Sequence, residues 1–170
     1  EKTDEISKEL MYEIAKYNCN YVTSKVFKYL TDVQTPQGIL AVIEKTPKDQ
    51  EIDYSQDIIV ALDDIQDPGN LGTILRTVDS VGLTQILVSK ETADSFNPKV
   101  VRSTMGAIFR VKVIECDNLK EKLKEAKKYK YKIVVSSLQT NNSVYDINYN
   151  IAYKKVARAF HITKERTTVQ

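Results

Sequence analysis

Apolar runs too short to be helices recur along this chain, and helix-patterned stretches separate them. Residues 58–62 read Ile-Ile-Val-Ala-Leu, and residues 84–88, 108–114 and 131–137 read as further short strands with polar residues among the apolar ones. Short strands alternating with helices of this length predict βαβ units around a parallel sheet. The intervening stretches agree. Leu71, Ile74, Leu75, Val78 and Val81 form one helical stripe, with Gly82 placed to end it. Asn97-Pro98 has the cap-then-proline pattern of a helix start, for a helix running to Gly106. Residues 119–129 read as a lysine-rich surface helix. The expected fold class is α/β, a parallel sheet flanked by helices.

The flanks are less regular. Residues 4–18 predict a helix with Ile6, Leu10 and Ile14 on one side, and residues 23–30 a second, capped by Thr23 or Ser24. After a turn at Thr35-Pro36-Gln37-Gly38, the apolar run 39–43 predicts a strand buried on both faces. Residues 45–56 are polar and contain Pro47, and read as a linker between an N-terminal unit (1–44) and the main domain (57–150). Beyond Leu138 the pattern dissolves. Residues 151–160 read as one helix inside an atypical tail (151–170), and the last ten residues are expected to be mobile. The chain starts at Glu1 instead of Met, as a fragment or a processed form would.

The 42% apolar and 28% charged residues suit a soluble globular protein, and a net charge of +2 does not mark the whole chain as a nucleic-acid binder. Local asymmetry exists: residues 119–132 hold seven lysines against two glutamates, with Tyr129 and Tyr131 between them. Cys19 and Cys116 match no metal or redox spacing and read as reduced thiols. No apolar run is long enough for a membrane span, and no signal-peptide core is seen. Cytoplasmic localisation is expected, without membrane or metal partners.

One turn stands out chemically. Asp67-Pro68-Gly69-Asn70-Leu71-Gly72-Thr73-Ile74-Leu75-Arg76-Thr77 follows an apolar strand and opens a helix. It should therefore lie at the carboxyl edge of the sheet, where open α/β sheets bind ligands. Asn70 reads as the helix cap. Arg76 falls opposite the apolar stripe, beside Thr73, Thr77 and Ser80, where a solvated arginine is the ordinary occupant. The turn is not G-x-G-x-x-G and does not mark a dinucleotide site. Lys99, Arg102 and Arg110 surround the next helix and suit phosphate contacts or a merely solvated basic face. His161, the only histidine, falls in the unpatterned tail and is given no catalytic role.

Together these segments resemble the SpoU (TrmH-like) family of RNA 2′-O-ribose methyltransferases, in the SPOUT superfamily. Residues 67–77 match its first motif, and Asn97-Pro98-Lys99-Val100-Val101-Arg102-Ser103-Thr104-Met105-Gly106-Ala107-Ile108-Phe109-Arg110 match the block that follows. Thr35 to Ala41 resembles the link from a small N-terminal RNA-binding domain. The resemblance implies an S-adenosylmethionine-dependent methylation of a ribose 2′-hydroxyl in rRNA or tRNA by a homodimer. It makes Arg76 the catalytic arginine acting on that hydroxyl and Asn70 the residue that shapes the site and holds Arg76. Lys99, Arg102 and Arg110 become candidate RNA contacts.

The family's later motifs, a G-x-E-x-x-G loop and an S-L-N segment that wrap the cofactor in a knotted C-terminal region, have no match here, and no glycine follows Gly106. The chain is thus expected to be a member cut at both ends, its knot segment missing or replaced, its cofactor-binding residues unknown, and its sheet prone to association. The rival expectations are an inactive homologue that binds RNA or a partner subunit, and an unrelated nucleotide-binding α/β domain.

Overall fold

The computed structural model describes residues 7–45 and 51–135, together with the backbone of residues 156–161. The chain forms two compact units, Glu1–Thr46 and Pro47–Gln170.

In the first unit, α1 spans Lys8–Ile14 and α2 spans Ser24–Leu30. Ser7 Oγ accepts a hydrogen bond from the Leu10 amide and Thr23 Oγ1 one from the Val26 amide, so each helix starts on a hydroxyl cap. Neither helix buries a residue. The strand expected at residues 39–43 does not form: these residues belong to no helix or strand and pair with none of the described residues, and Val42 is 93% exposed. An apolar run becomes a buried strand only when neighbours supply its backbone partners, and here none of the described residues does.

The second unit is a parallel α/β layer built from β1 (Ile58–Asp63), α3 (Pro68–Ser80), β2 (Gln85–Ser89), α4 (Pro98–Ser103), a short 3₁₀ turn (Ala107–Phe109), β3 (Lys112–Cys116), α5 (Leu119–Lys128), β4 (Lys132–Val135) and β5 (Val156–His161). The strand order is β3-β2-β1-β5-β4, every pair parallel. Adjacent residues of β1 serve opposite faces, as a pleated strand requires. Val60 and Leu62 join Leu71, Leu75, Val78, Ile86 and Val100 beneath α3 and α4. Ile59 and Ala61 join Leu87, Ile114, Leu119 and Ala126 beneath α5. Leu71 and Leu75 are fully buried, and each contributes about 2 kcal/mol through the area it removes from water.

Two expectations are corrected here. Residues 151–160, read as one helix, instead contain β5, which runs in register between β1 and β4 from Ile58↔Val156 to Asp63↔His161. Its alanines and basic residues favour helix locally, but pairing along both strand edges holds the backbone extended. The sheet therefore has β5 as an interior strand, between β1 and β4. The strand read at 108–114 begins later, because Ala107–Phe109 closes a 3₁₀ turn after Gly106, whose φ is +85°. The remaining elements match the predicted ones within a few residues; residues 1–6, 46–50, 136–155 and 162–170, including the Pro47 part of the linker, the polar stretch 139–150 and nearly all of the last ten, lie outside the described residues.

At the amino edge of the sheet, residues 51–56, part of the stretch read as a linker, are fastened down. The buried Gln85 amide exchanges two hydrogen bonds with the backbone of Asp53, and Lys112 Nζ donates to the Glu51 carbonyl. Tyr131 Oη donates to the Gln56 carbonyl, and the Tyr54 ring stacks on Tyr129. Burial pushes the Tyr54 and Tyr131 phenols up to about 12, so both stay neutral at physiological pH. Among the described residues no helix is long and apolar enough to cross a membrane.

Candidate active site

The site begins where β1 ends. Strand order reverses around β1: the chain moves out through β2 and β3, then returns through β4 to insert β5 on the other side. The carboxyl ends of β1 and β5 therefore lie where the strand order switches, the place at which open α/β sheets bind ligands, with Asp63 and His161 in register there.

From there the chain turns sharply into α3. Asp64 adopts φ +56°, a left-handed conformation that costs a non-glycine residue about 1 kcal/mol. The turn is held from the neighbouring loop. Ser89 Oγ, 4% exposed at the end of β2, accepts a hydrogen bond from the Asp64 amide at 2.9 Å. The Ala93 amide donates to the Ile65 carbonyl at 2.9 Å, and Ser89 Oγ also lies 3.3 Å from Thr92 Oγ1. Two loops at the carboxyl edge are thus clipped into one. Removing the clip in Ser89→Ala leaves the strained Asp64 amide without its acceptor, at a cost of about 1 kcal/mol. The expected result is a melting temperature lower by about 3–5 °C, read by circular dichroism; no change would show that the turn holds itself.

Asn70 is not the cap. Asp67 is: its carboxylate accepts from the Asn70 amide at 2.7 Å, and Pro68 occupies the first helical position. An aspartate directly before proline was the signal for this, and the proline ring's fixed φ suits the first turn. Asn70 is exposed in that first turn, its side chain free of the capping role. Arg76 lies six residues further along, about 9 Å down the helix axis and 120° around it. It is exposed beside Thr73, Thr77 and Ser80, as its position opposite the stripe predicts. Among the described residues no hydrogen bond joins Asn70 to Arg76, and Arg76 makes no ion pair.

The other basic candidates are divided between the two ends of α3. The C-terminus of α4 meets the N-terminus of α3, where a Cβ added to Gly72 would stand 1.7 Å from Ser103 Oγ and 3.1 Å from the Val100 carbonyl. Lys99 and Arg102 lie on this short helix, both exposed, and Arg102 adjoins Ser103 at the contact. Arg110 is carried to the opposite end. Its guanidinium grips Asp79 through Nε and Nη2, the shortest contact being 2.6 Å. The hydrogen bonds from Arg110 hold the Asp79 carboxyl below its ordinary value of 3.8. A carboxyl depressed by folding stabilises the fold above its unfolded pKa and loses that contribution as the pH falls through its folded one. Asp79→Asn is therefore expected to melt below the wild type at neutral pH and to converge with it below pH 3.8. A gap that persists in acid would assign the effect to packing.

The sequence missed Ser89 and Ser103, which no local pattern distinguishes, and took Asp67 as part of the motif without its capping function. Among the described residues no three His, Cys, Asp or Glu side chains converge as a metal site would need. Burial pushes the Cys116 thiol up, away from thiolate chemistry.

The chain is similar to known proteins. The sequence model of the SpoU rRNA Methylase family matches residues 57–165, more than half of the chain and through β5. The chain is 34% identical over 121 residues to the 23S rRNA (guanosine(2553)-2′-O)-methyltransferase RlmP of Bacillus subtilis, covering 71% of this chain and 47% of that protein. An rRNA methyltransferase from Sinorhizobium meliloti superposes with a TM-score of 0.70 at 29% identity, over 81% of this chain and 53% of that one. The AdoMet-bound structure of an rRNA methyltransferase from the same organism matches with a TM-score of 0.63 at 29% identity, over 81% and 52% of the two chains. The chain thus spans about half the length of these relatives. With the first motif at the carboxyl edge of β1 and the second block packed against it, the chain belongs to the SpoU rRNA methylase family.

Proposed function

We propose that this chain provides the catalytic domain of an RNA 2′-O-ribose methyltransferase that acts on rRNA or tRNA in the cytoplasm as a homodimer. The observation that carries this reading is the turn at 64–70, held by Ser89 and Asp67, which opens α3 with Arg76 exposed and without an ion partner among the described residues. S-adenosylmethionine supplies an electrophilic methyl group when bound. The donor set on the described part of the edge suits a cationic sulfonium in charge: Asp63, Asp64 and Asp67 all lie on it.

A ribose hydroxyl is a weak nucleophile because its proton leaves reluctantly. A guanidinium beside the 2′-oxygen stabilises the negative charge that grows there as the proton passes to solvent water, which lowers the barrier. Arg76 can do this only if the RNA approaches the exposed side of α3. Asn70, free of the cap, offers an amide to the ribose or to a flanking phosphate nearly two turns earlier. Lys99 and Arg102 lie toward the same end of α3 and suit phosphates of the incoming strand, whereas Arg110 is engaged by Asp79.

The test is titration calorimetry of the folded chain with S-adenosylmethionine, followed by transfer of labelled methyl groups to bacterial 23S rRNA. Micromolar cofactor binding with 2′-O-methyl product supports the reading. A folded chain that binds RNA but neither binds cofactor nor transfers methyl groups would replace it with an RNA-binding subunit.

A further inference from the structure

The chain's positive charge is concentrated away from the motif turn. Residues 119–132 hold seven lysines and two glutamates, a local charge of +5, while the whole chain carries +2, so everything else together is net negative. All seven lysines are exposed. They lie on and just after α5, which starts at the carboxyl end of β3 and runs back to the amino end of β4. The ten-residue helix is about 15 Å long, so its lysines descend from the edge that carries the candidate site to the opposite edge.

At the lower end, Lys124 and Lys128 stand one turn apart and line a shallow groove with Glu121, Glu125 and Tyr129. Glu125 is occupied by Lys122 at 3.0 Å, which leaves Glu121 as the one acidic side chain opposing the groove's lysines. Neither Lys124 nor Lys128 makes an ion pair among the described residues. Tyr129 lines the same groove. Its ring is fixed by near-parallel stacking on Tyr54, with centroids 4.0 Å apart and planes 7° apart, yet the residue is 47% exposed. A lysine pair beside a rigid, half-open aromatic ring is the chemistry that binds single-stranded RNA without base selection: ammonium groups for phosphates, a flat face for a base.

We propose that α5 and Tyr129 form a second RNA-binding surface, on the sheet face opposite α3 and α4, that grips the strand flanking the target ribose. This rests on the reading of the chain as an RNA methyltransferase domain.

The experiment uses the complete chain, with a twenty-residue oligouridylate and 23S rRNA as probes. Binding is measured between 50 and 200 mM salt, on the order of the range over which phosphate contacts are revealed. K124Q/K128Q is expected to weaken oligouridylate binding about tenfold and to reduce the slope of log affinity against log salt by about 1.4, roughly 0.7 for each phosphate contact on a single strand. Tyr129→Leu is expected to cost about 5- to 100-fold with the slope unchanged, because stacking releases no counterions. Melting curves identify any variant that fails to fold, and the lysine pair, wholly on the surface, decides if Tyr129→Leu does. Variants that fold and keep wild-type affinity and slope overturn the α5 surface while leaving the catalytic reading intact. A wild-type chain that binds neither RNA overturns both.

Discussion

Arg76→Ala is expected to lower kcat for RNA methylation by about 10²–10³-fold, the usual loss when one preorganised stabiliser of a developing oxyanion is removed. Its melting temperature should stay within about 2 °C of the wild type, because an exposed arginine without an ion pair contributes little to folding. Arg76→Lys keeps a cation but loses the planar fork and should recover only part of the rate. The measurement is single-turnover methyl transfer alongside a thermal melt. Full activity in Arg76→Ala would remove the arginine from the chemistry. A parallel loss of stability would make its role structural.

Gly72→Ala should act in the opposite way, through the fold. The added methyl would stand 1.7 Å from Ser103 Oγ and 2.7 Å from Ser103 Cβ, so α3 and α4 must move apart. Overpacking of this kind costs about 1–3 kcal/mol, or several degrees of melting temperature. Activity should fall as well, because the same contact sets the first turn of α3 against the helix that carries Lys99 and Arg102. In a Ser103→Gly background the penalty of Gly72→Ala should shrink, since both serine atoms that meet the new methyl are gone. The coupling energy of that double-mutant cycle measures the contact directly. Additive effects would show that the glycine serves backbone freedom instead of helix approach.

These two residues also show how far local pattern reaches. Arg76 was legible because one helix geometry relates it to Leu71, Leu75 and Val78: once these are inward, Arg76 is outward. Gly72 was visible as a glycine in a helix, but the reason for it lies 31 residues away in Ser103. The clip by Ser89 on Asp64 has the same character, since a serine at the end of a buried strand carries no mark of the amide it will meet. The tail was misread for a related reason. Residues 156–161 show no strong strand pattern, and they become β5 by pairing with β1 and β4 on either side. Conversely, residues 39–43 have the apolar content of a core strand and find no partner among the described residues.

By itself, the sequence determined the parallel α/β class, the place of the motif turn between β1 and α3, and the outward face of Arg76. Each follows from periodicity or from a strand-turn-helix order within about twenty residues. Only the tertiary structure decided the interior position of β5, the capture of Arg110 by Asp79, and the packing of Gly72 on Ser103. These are contacts between segments distant in the chain, and local residue preferences are too weak to specify which distant groups will meet.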